Sequence, residues 1–302
     1  MTSHASSAGS DRPENVDLAF DAGDELGEGV TWDHARRQLI SVDIMRGRIH
    51  LFDPASGSAR TLTVDQPVGA AVPCRSGGVM LALRDGFARL DTESGALTSV
   101  AYVEFDRPGQ RMNDGACDAA GRFWAGTMCM QERPGLGSLY RLDADGTVHT
   151  MVTDVGISNG IDWSLDGSRM YYVDSLTQRI DQFDFDLASG TIANRRPFVT
   201  IDPADGCPDG LTVDAEGGIW LALWGGWAVR RYLPDGTLDR VLRVPVSHPT
   251  TCAFGGDGLD SLYITSATIR LTDAERLAQP LAGAVIRHRP GVIGRPAHAF
   301  AG

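Results

Sequence analysis

The chain has 302 residues, 42% of them hydrophobic, with 36 glycines and a formal charge of −12. The acidic balance excludes a phosphate-backbone binder, which needs clustered Lys and Arg, and the lack of any run of about 18 apolar residues excludes a membrane-spanning helix. Five cysteines stand singly at 74, 117, 129, 207 and 252 with no C-x-x-C pair, so neither a zinc knuckle nor a disulfide scaffold is indicated, and buried, inert thiols are expected.

Residues 1–15 are small and polar and are expected to form a disordered leader. They lack the basic start and apolar core of a secretory signal, so a cytoplasmic protein is the expectation. From Val16 onward the sequence breaks into short strands bounded by Gly, Pro, Asp and Ser. One hairpin plan then recurs. Glu28 leads through Trp32 to Leu39-Ile40, and Val68 through Cys74-Arg-Ser-Gly77 to Val79-Met80. Asn113 leads through Asp118-Ala-Ala-Gly121 to Phe123-Trp124, and Asn159 through Gly167 to Met170–Val173. Asp209 leads through Asp214-Ala-Glu-Gly217 to Ile219-Trp220, and Thr250 through Gly255–Gly258 to Leu262-Tyr263. Six degenerate copies at intervals of roughly 40 to 50 residues predict an all-β fold, a six-bladed β-propeller occupying residues 16–302 as one domain. Acidic turns such as Asp53–Gly57, Asp91–Gly95 and Asp143–Gly146 mark the outer hairpins, where Asp bonds its own backbone and Gly supplies the positive φ. The one helix-like patch, Asp273–Gln279, reads as a loop within the sixth blade.

The innermost strands of a propeller line a central channel, and their first residues gather at one mouth. Alignment of the copies places Glu28, Val68, Asn113, Asn159, Asp209 and Thr250 at equivalent positions. Asn and Asp are also ordinary turn formers at strand starts. Three of them, however, are followed by Gly (Glu28-Gly29, Asn159-Gly160, Asp209-Gly210), which lets the backbone bend while the side chain points inward. Convergent oxygen donors without thiols or paired histidines suit one hard divalent cation, calcium first. Zinc, manganese, magnesium and iron(II) are also compatible.

The segments GEGVTW (27–32), RMNDGACDAAGRFWAGTM (111–128), SNGIDWSLDGSRMYYVDS (158–175) and CPDGLTVDAEGGIWLA (207–222) resemble the regucalcin/gluconolactonase family of six-bladed propeller sugar lactonases. The resemblance runs from about residue 24 to about residue 291, and four ordered motifs make it specific. It implies that Glu28, Asn159 and Asp209 are metal ligands, that Arg111 and Asn113 contact a sugar lactone, and that Asp209 is the general base. After the AGTM motif some members place a substrate-contacting Glu. Here the register gives Gln131, with Glu132 beside it. The implied enzyme is a lactone hydrolase whose partner is a small-molecule sugar lactone, with no nucleic acid and no membrane. The alternatives are a non-catalytic, calcium-binding regulatory propeller and a propeller acting on other esters or organophosphates.

Other signals are weaker. Gly156-Ile-Ser158-Asn-Gly160 fits the nucleophile-elbow pattern, but that motif needs a helix after the turn and here a strand follows. His248 reads as a structural hydrogen-bonder, Trp224 and Trp227 as packing between blades, and Trp32, Trp124, Trp163 and Trp220 as core. Asp162 and Asp174 could support the site or merely tie strand ends.

Overall fold

A computed structural model describes residues 16–103 and 109–302, and the expected leader, 1–15, lies outside them. Among the described residues the strands form six four-stranded antiparallel sheets. The innermost strands, in order, are Gly27–Asp33 (blade I), Val68–Pro73 (II), Gln110–Cys117 (III), Ser158–Trp163 (IV), Cys207–Val213 (V) and Pro249–Gly255 (VI). Each touches the next, and the sixth touches the first, so the ring is closed. The six-bladed propeller expected from the repeats is the fold. No helix among the described residues is long and apolar enough to cross a membrane.

Burial falls from the centre outward. The inner strand of blade II and the strand beside it, Val79–Leu83, are wholly buried, whereas the outermost strand, Leu97–Tyr102, is largely exposed. Blade VI is assembled from both ends of the described chain, because Val16–Phe20 pairs antiparallel with Val285–His288 as its outermost strand. A closed ring of this kind leaves only short edges open to further pairing.

The repeat-equivalent aspartates act as tie points. Asp118 receives the Trp124 indole N–H at 2.9 Å, the Arg122 Nε at 2.6 Å and the backbone N–H groups of Ala120 and Arg122. Asp214 does the same for Trp220, Arg231, Glu216 and Gly218. Trp32, Trp124, Trp163 and Trp220 are all buried, as their repeat positions predicted. Asp118→Ala would leave the buried Arg122 guanidinium without its carboxylate, holding only the Leu187 carbonyl, and the Trp124 indole N–H without an acceptor. It is expected to cost about 3–5 kcal/mol in denaturant unfolding, the range for a broken buried ion pair. A loss below about 1 kcal/mol would contradict this role.

The segment 273–279 departs from the loop expected there. Asp273–Ala278 is a short α-helix started by a capping box, in which the Thr272 hydroxyl accepts the Glu275 N–H and the Glu275 carboxylate accepts the Thr272 N–H. A helix this short shows no hydrophobic periodicity, so only its cap marks it in the sequence.

Candidate active site at one mouth of the channel

Every innermost strand carries a register shift near the residue that the repeat alignment singled out: Glu28/Thr31, Val68/Ala70, Met112/Gly115, Ser158/Ile161, Pro208/Leu211 and Pro249/Cys252. A bulge bends its strand and re-aims a side chain, which is why such irregularities gather at barrel rims and active sites. Glycine suits these bends because of close neighbours. A Cβ on Gly160 would come within 2.7 Å of the Asp209 carbonyl oxygen, and one on Gly210 within 2.1 Å of Thr251 Oγ1.

Four of the six bulge residues, Glu28, Asn113, Asn159 and Asp209, converge on one cavity of about 300 Å³ together with Arg111. The other two do not. Val68 is core, and Thr250 is buried with its hydroxyl on the Gly27 carbonyl at 2.6 Å.

The convergent groups are fixed by a chain of bonds. Asn113 Nδ2 donates to Asn159 Oδ1 and to the Ser158 carbonyl, both at 2.8 Å, and Asn159 Nδ2 donates to Ser175 Oγ at 2.8 Å. Arg111 Nη1 donates to Asn113 Oδ1 at 2.6 Å and to the Met112 carbonyl at 3.0 Å. The entrances of two inner strands are clamped by side chains. Asp43 accepts the N–H groups of Glu25 and Leu26, and Asp174 those of Gly156 and Ile157. Asp174 therefore supports the strand that carries Asn159. Asp162 instead accepts from the Trp163 and Val213 N–H groups and pairs with Arg295.

The electrostatics of the cavity are unbalanced. Burial, followed by repulsion from Asp209 and Asp114, pushes the Glu28 carboxyl well above its ordinary range. Burial and the Asp114 charge do the same to Asp209, while burial lifts Asp114 to about 6. Arg111 is lowered to about 10 by burial, against the pull of Glu28, Glu132 and Asp209. Asp209 Oδ1 and Arg111 Nε are buried with no hydrogen-bond partner. Among the described residues no three His, Cys, Asp or Glu side chains cluster within reach of one ion, so a cation here needs an amide as its third donor. Two carboxylates pressed together, an orphaned carboxylate oxygen and a fixed Asn oxygen fit a divalent cation.

Gln131 does not join this group. Its side chain is exposed and accepts the Cys129 thiol at 3.1 Å, and the neighbouring Glu132 lines the cavity in its place. A left-handed turn at Glu132 (φ 54°) sends consecutive side chains in different directions, which sequence register alone does not show. Cys207, expected to be inert like the other thiols, is half-buried and lines the cavity, whereas the other four cysteines are buried. Trp224 also lines it, with its ring stacked on His248 at 4.1 Å and 8°, while Trp227 is exposed. Ser158 is buried and accepts the Tyr172 hydroxyl at 2.8 Å, a structural role.

Deeper in the channel a second space, of about 90 Å³, is closed by the C-terminal segment, with Arg295, Pro296 and His298 in its wall. That segment is stitched to the ring by Phe300 to Pro73 and Arg75, and by Ala301 to Gly121.

A six-bladed propeller with an oxygen-donor constellation at one mouth is the class that this geometry defines. Residues 26–268 match the SMP-30/Gluconolactonase/LRE-like region, and the chain belongs to that family. It is 39% identical to regucalcin of Gallus gallus over 92% of this chain and 95% of that one. It is 37% identical to a Bacillus subtilis protein named for a sugar lactone lactonase, over 85% of this chain and 89% of that one. Among solved structures it is similar to a calcium-binding protein, regucalcin, from Agrobacterium tumefaciens, with a TM-score of 0.90 and 32% identity over 94% and 96% of the two chains.

Proposed function

We propose that this protein hydrolyses a sugar lactone to the aldonic acid, with a divalent cation held by Glu28, Asn159 and Asp209. The observation that carries the reading is the convergence of these three groups with Arg111 and Asn113 on one cavity. The lactonase name of the Bacillus relative and the family membership support it. The calcium-binding description of the Agrobacterium protein supports a cation and puts calcium first.

A lactone is an activated cyclic ester, so hydrolysis needs a polarised carbonyl and an activated water. The bound cation would supply Lewis acidity at the carbonyl oxygen. Asp209 takes the proton of the attacking water through its free Oδ1, and later returns a proton to the ring oxygen as it leaves. Arg111 and Asn113, tied to each other and to Asn159, orient the ring and its hydroxyls, so that the carbonyl meets the activated water. The low-polarity wall of Leu26, Met45, Ile157 and Trp224 limits competing water.

The test is acid release from a panel of five- and six-membered aldonolactones, using chelator-stripped protein with each divalent metal restored in turn. Metal-dependent hydrolysis above the spontaneous rate is the expected result. Arg111→Ala should raise KM by roughly tenfold or more, since a hydrogen bond to a charged group is worth about 1.5–3 kcal/mol. Tight metal binding with no acceleration on any lactone would favour the regulatory calcium-binding propeller.

A further inference from the structure

The loops joining the second and third strands lie on the same mouth as the site, and in four blades they are short: 44–47, 84–85, 175–178 and 225–227. Blades III and VI differ, with loops 130–136 and 267–284. These two blades face each other across the six-membered ring. Their loops meet through an ion pair between Glu132 and Arg270, and both residues line the cavity. Each sits in the left-handed region, at φ 54° and 70°, which side-chain-bearing residues rarely adopt. The other end of the channel is closed by the C-terminal segment, so ligands reach the site past this pair.

We propose that the Glu132–Arg270 pair is the size filter of the site, a latch across the mouth that small lactones pass and bulkier ones cross only when the pair parts. Both side chains are partly exposed, at 36% and 58%. An exposed pair shifts an open–closed equilibrium by only about two- to fivefold, which makes this a selective latch and not a seal. Its meaning for catalysis rests on the lactonase reading, but its operation can be read without turnover.

Cys207 lies in the cavity beneath the latch and is the one cysteine of the five that is not buried. The probe is the ratio of its labelling rates with a bulky pyrene-substituted maleimide and with N-ethylmaleimide, in which changes in thiol acidity cancel. Cys207→Ser provides the background. Glu132→Gln and Arg270→Gln should each raise the ratio about two- to fivefold, and the reversed pair, Glu132→Arg with Arg270→Glu, should return it towards wild type. High salt should raise the ratio in the parent protein and leave it unchanged in Arg270→Gln, a measurement that does not depend on the reversed pair folding. A ratio insensitive to salt and to both single substitutions would overturn the latch, as would a folded reversed pair that behaves like the single variants. If the parent protein hydrolyses no lactone, the functional reading fails while the labelling result still decides the latch. If it does, kcat/KM for a lactone with a large substituent should rise in the single variants relative to the unsubstituted ring.

Discussion

Asp209→Asn is expected to lower kcat for lactone hydrolysis by about 10²- to 10⁴-fold while leaving the fold intact, the usual contribution of a positioned general base. The expectation comes from geometry. Asp209 stands on the bulge of blade V, its backbone bent by Gly210, with one carboxylate oxygen buried and unpartnered inside the cavity. Asn keeps the shape and one oxygen donor but cannot accept the proton of the attacking water. Because Asp209 also belongs to the proposed metal set, two causes of lost turnover must be separated. If the loss comes from weakened metal binding, excess cation restores the rate. If it comes from the missing base, the rate stays low at saturating metal. Full rescue by metal would remove Asp209 from the proton-transfer step and leave it only a ligand.

The second large effect is on stability. Glu28 and Asp209 ionise near pH 4 in an unfolded chain, but in the fold burial raises both, joined by repulsion from Asp209 and Asp114 at Glu28 and from Asp114 at Asp209. Above pH 4, and below the raised values, the folded protein therefore binds more protons than the unfolded one. Stability of the metal-free protein must then fall as pH rises, by up to about 1.4 kcal/mol per pH unit for each proton of difference. Asp114, lifted to about 6, adds to the same slope. The melting temperature of chelator-treated protein should drop between pH 5 and pH 8, and calcium should recover it by supplying the missing positive charge. Glu28→Gln should be more stable than the parent at pH 8 without metal, and should lose the response to calcium. A flat or rising metal-free melting curve over this range would contradict the proposed charge arrangement. A site that is costly to fold when empty and stabilised when loaded is the usual compromise between stability and activity.

The ring was legible in the sequence because each inner hairpin carries the same turn chemistry and the same buried positions. The aspartates before Trp124 and Trp220 repeat with the spacing of the blades. The mouth was legible for the same reason, since a residue four places before Trp32, Cys117, Trp163 or Val213 must share their place in the ring. What repetition could not disclose was anything built from irregular backbone. The left-handed turn at Glu132 puts that residue, and not Gln131, into the cavity. The approach of Arg270 comes from a loop, 267–284, far longer than its equivalents in the other blades. Asp43 and Asp174 look like ordinary strand ends, and only the fold shows that they clamp the strands bearing Glu28 and Asn159. The electrostatic strain among Glu28, Asp114 and Asp209 likewise depends on burial, which spacing does not measure.

The pairing of Val16–Phe20 with Val285–His288 also governs how the molecule is made. Within each of blades I to V, neighbouring strands are close in sequence and can zip locally, but the outer strand of blade VI, made first, lacks its three partners until the last part of the chain has emerged. Until then the nascent protein is an open crescent whose first and last inner strands each present a face meant for the other. Closing that gap joins segments at opposite ends of the sequence, the kind of distant contact that slows folding and leaves intermediates prone to stick to one another. Ring closure, more than any single blade, is therefore the step at which dilution or a holding chaperone should most improve the yield of folded protein.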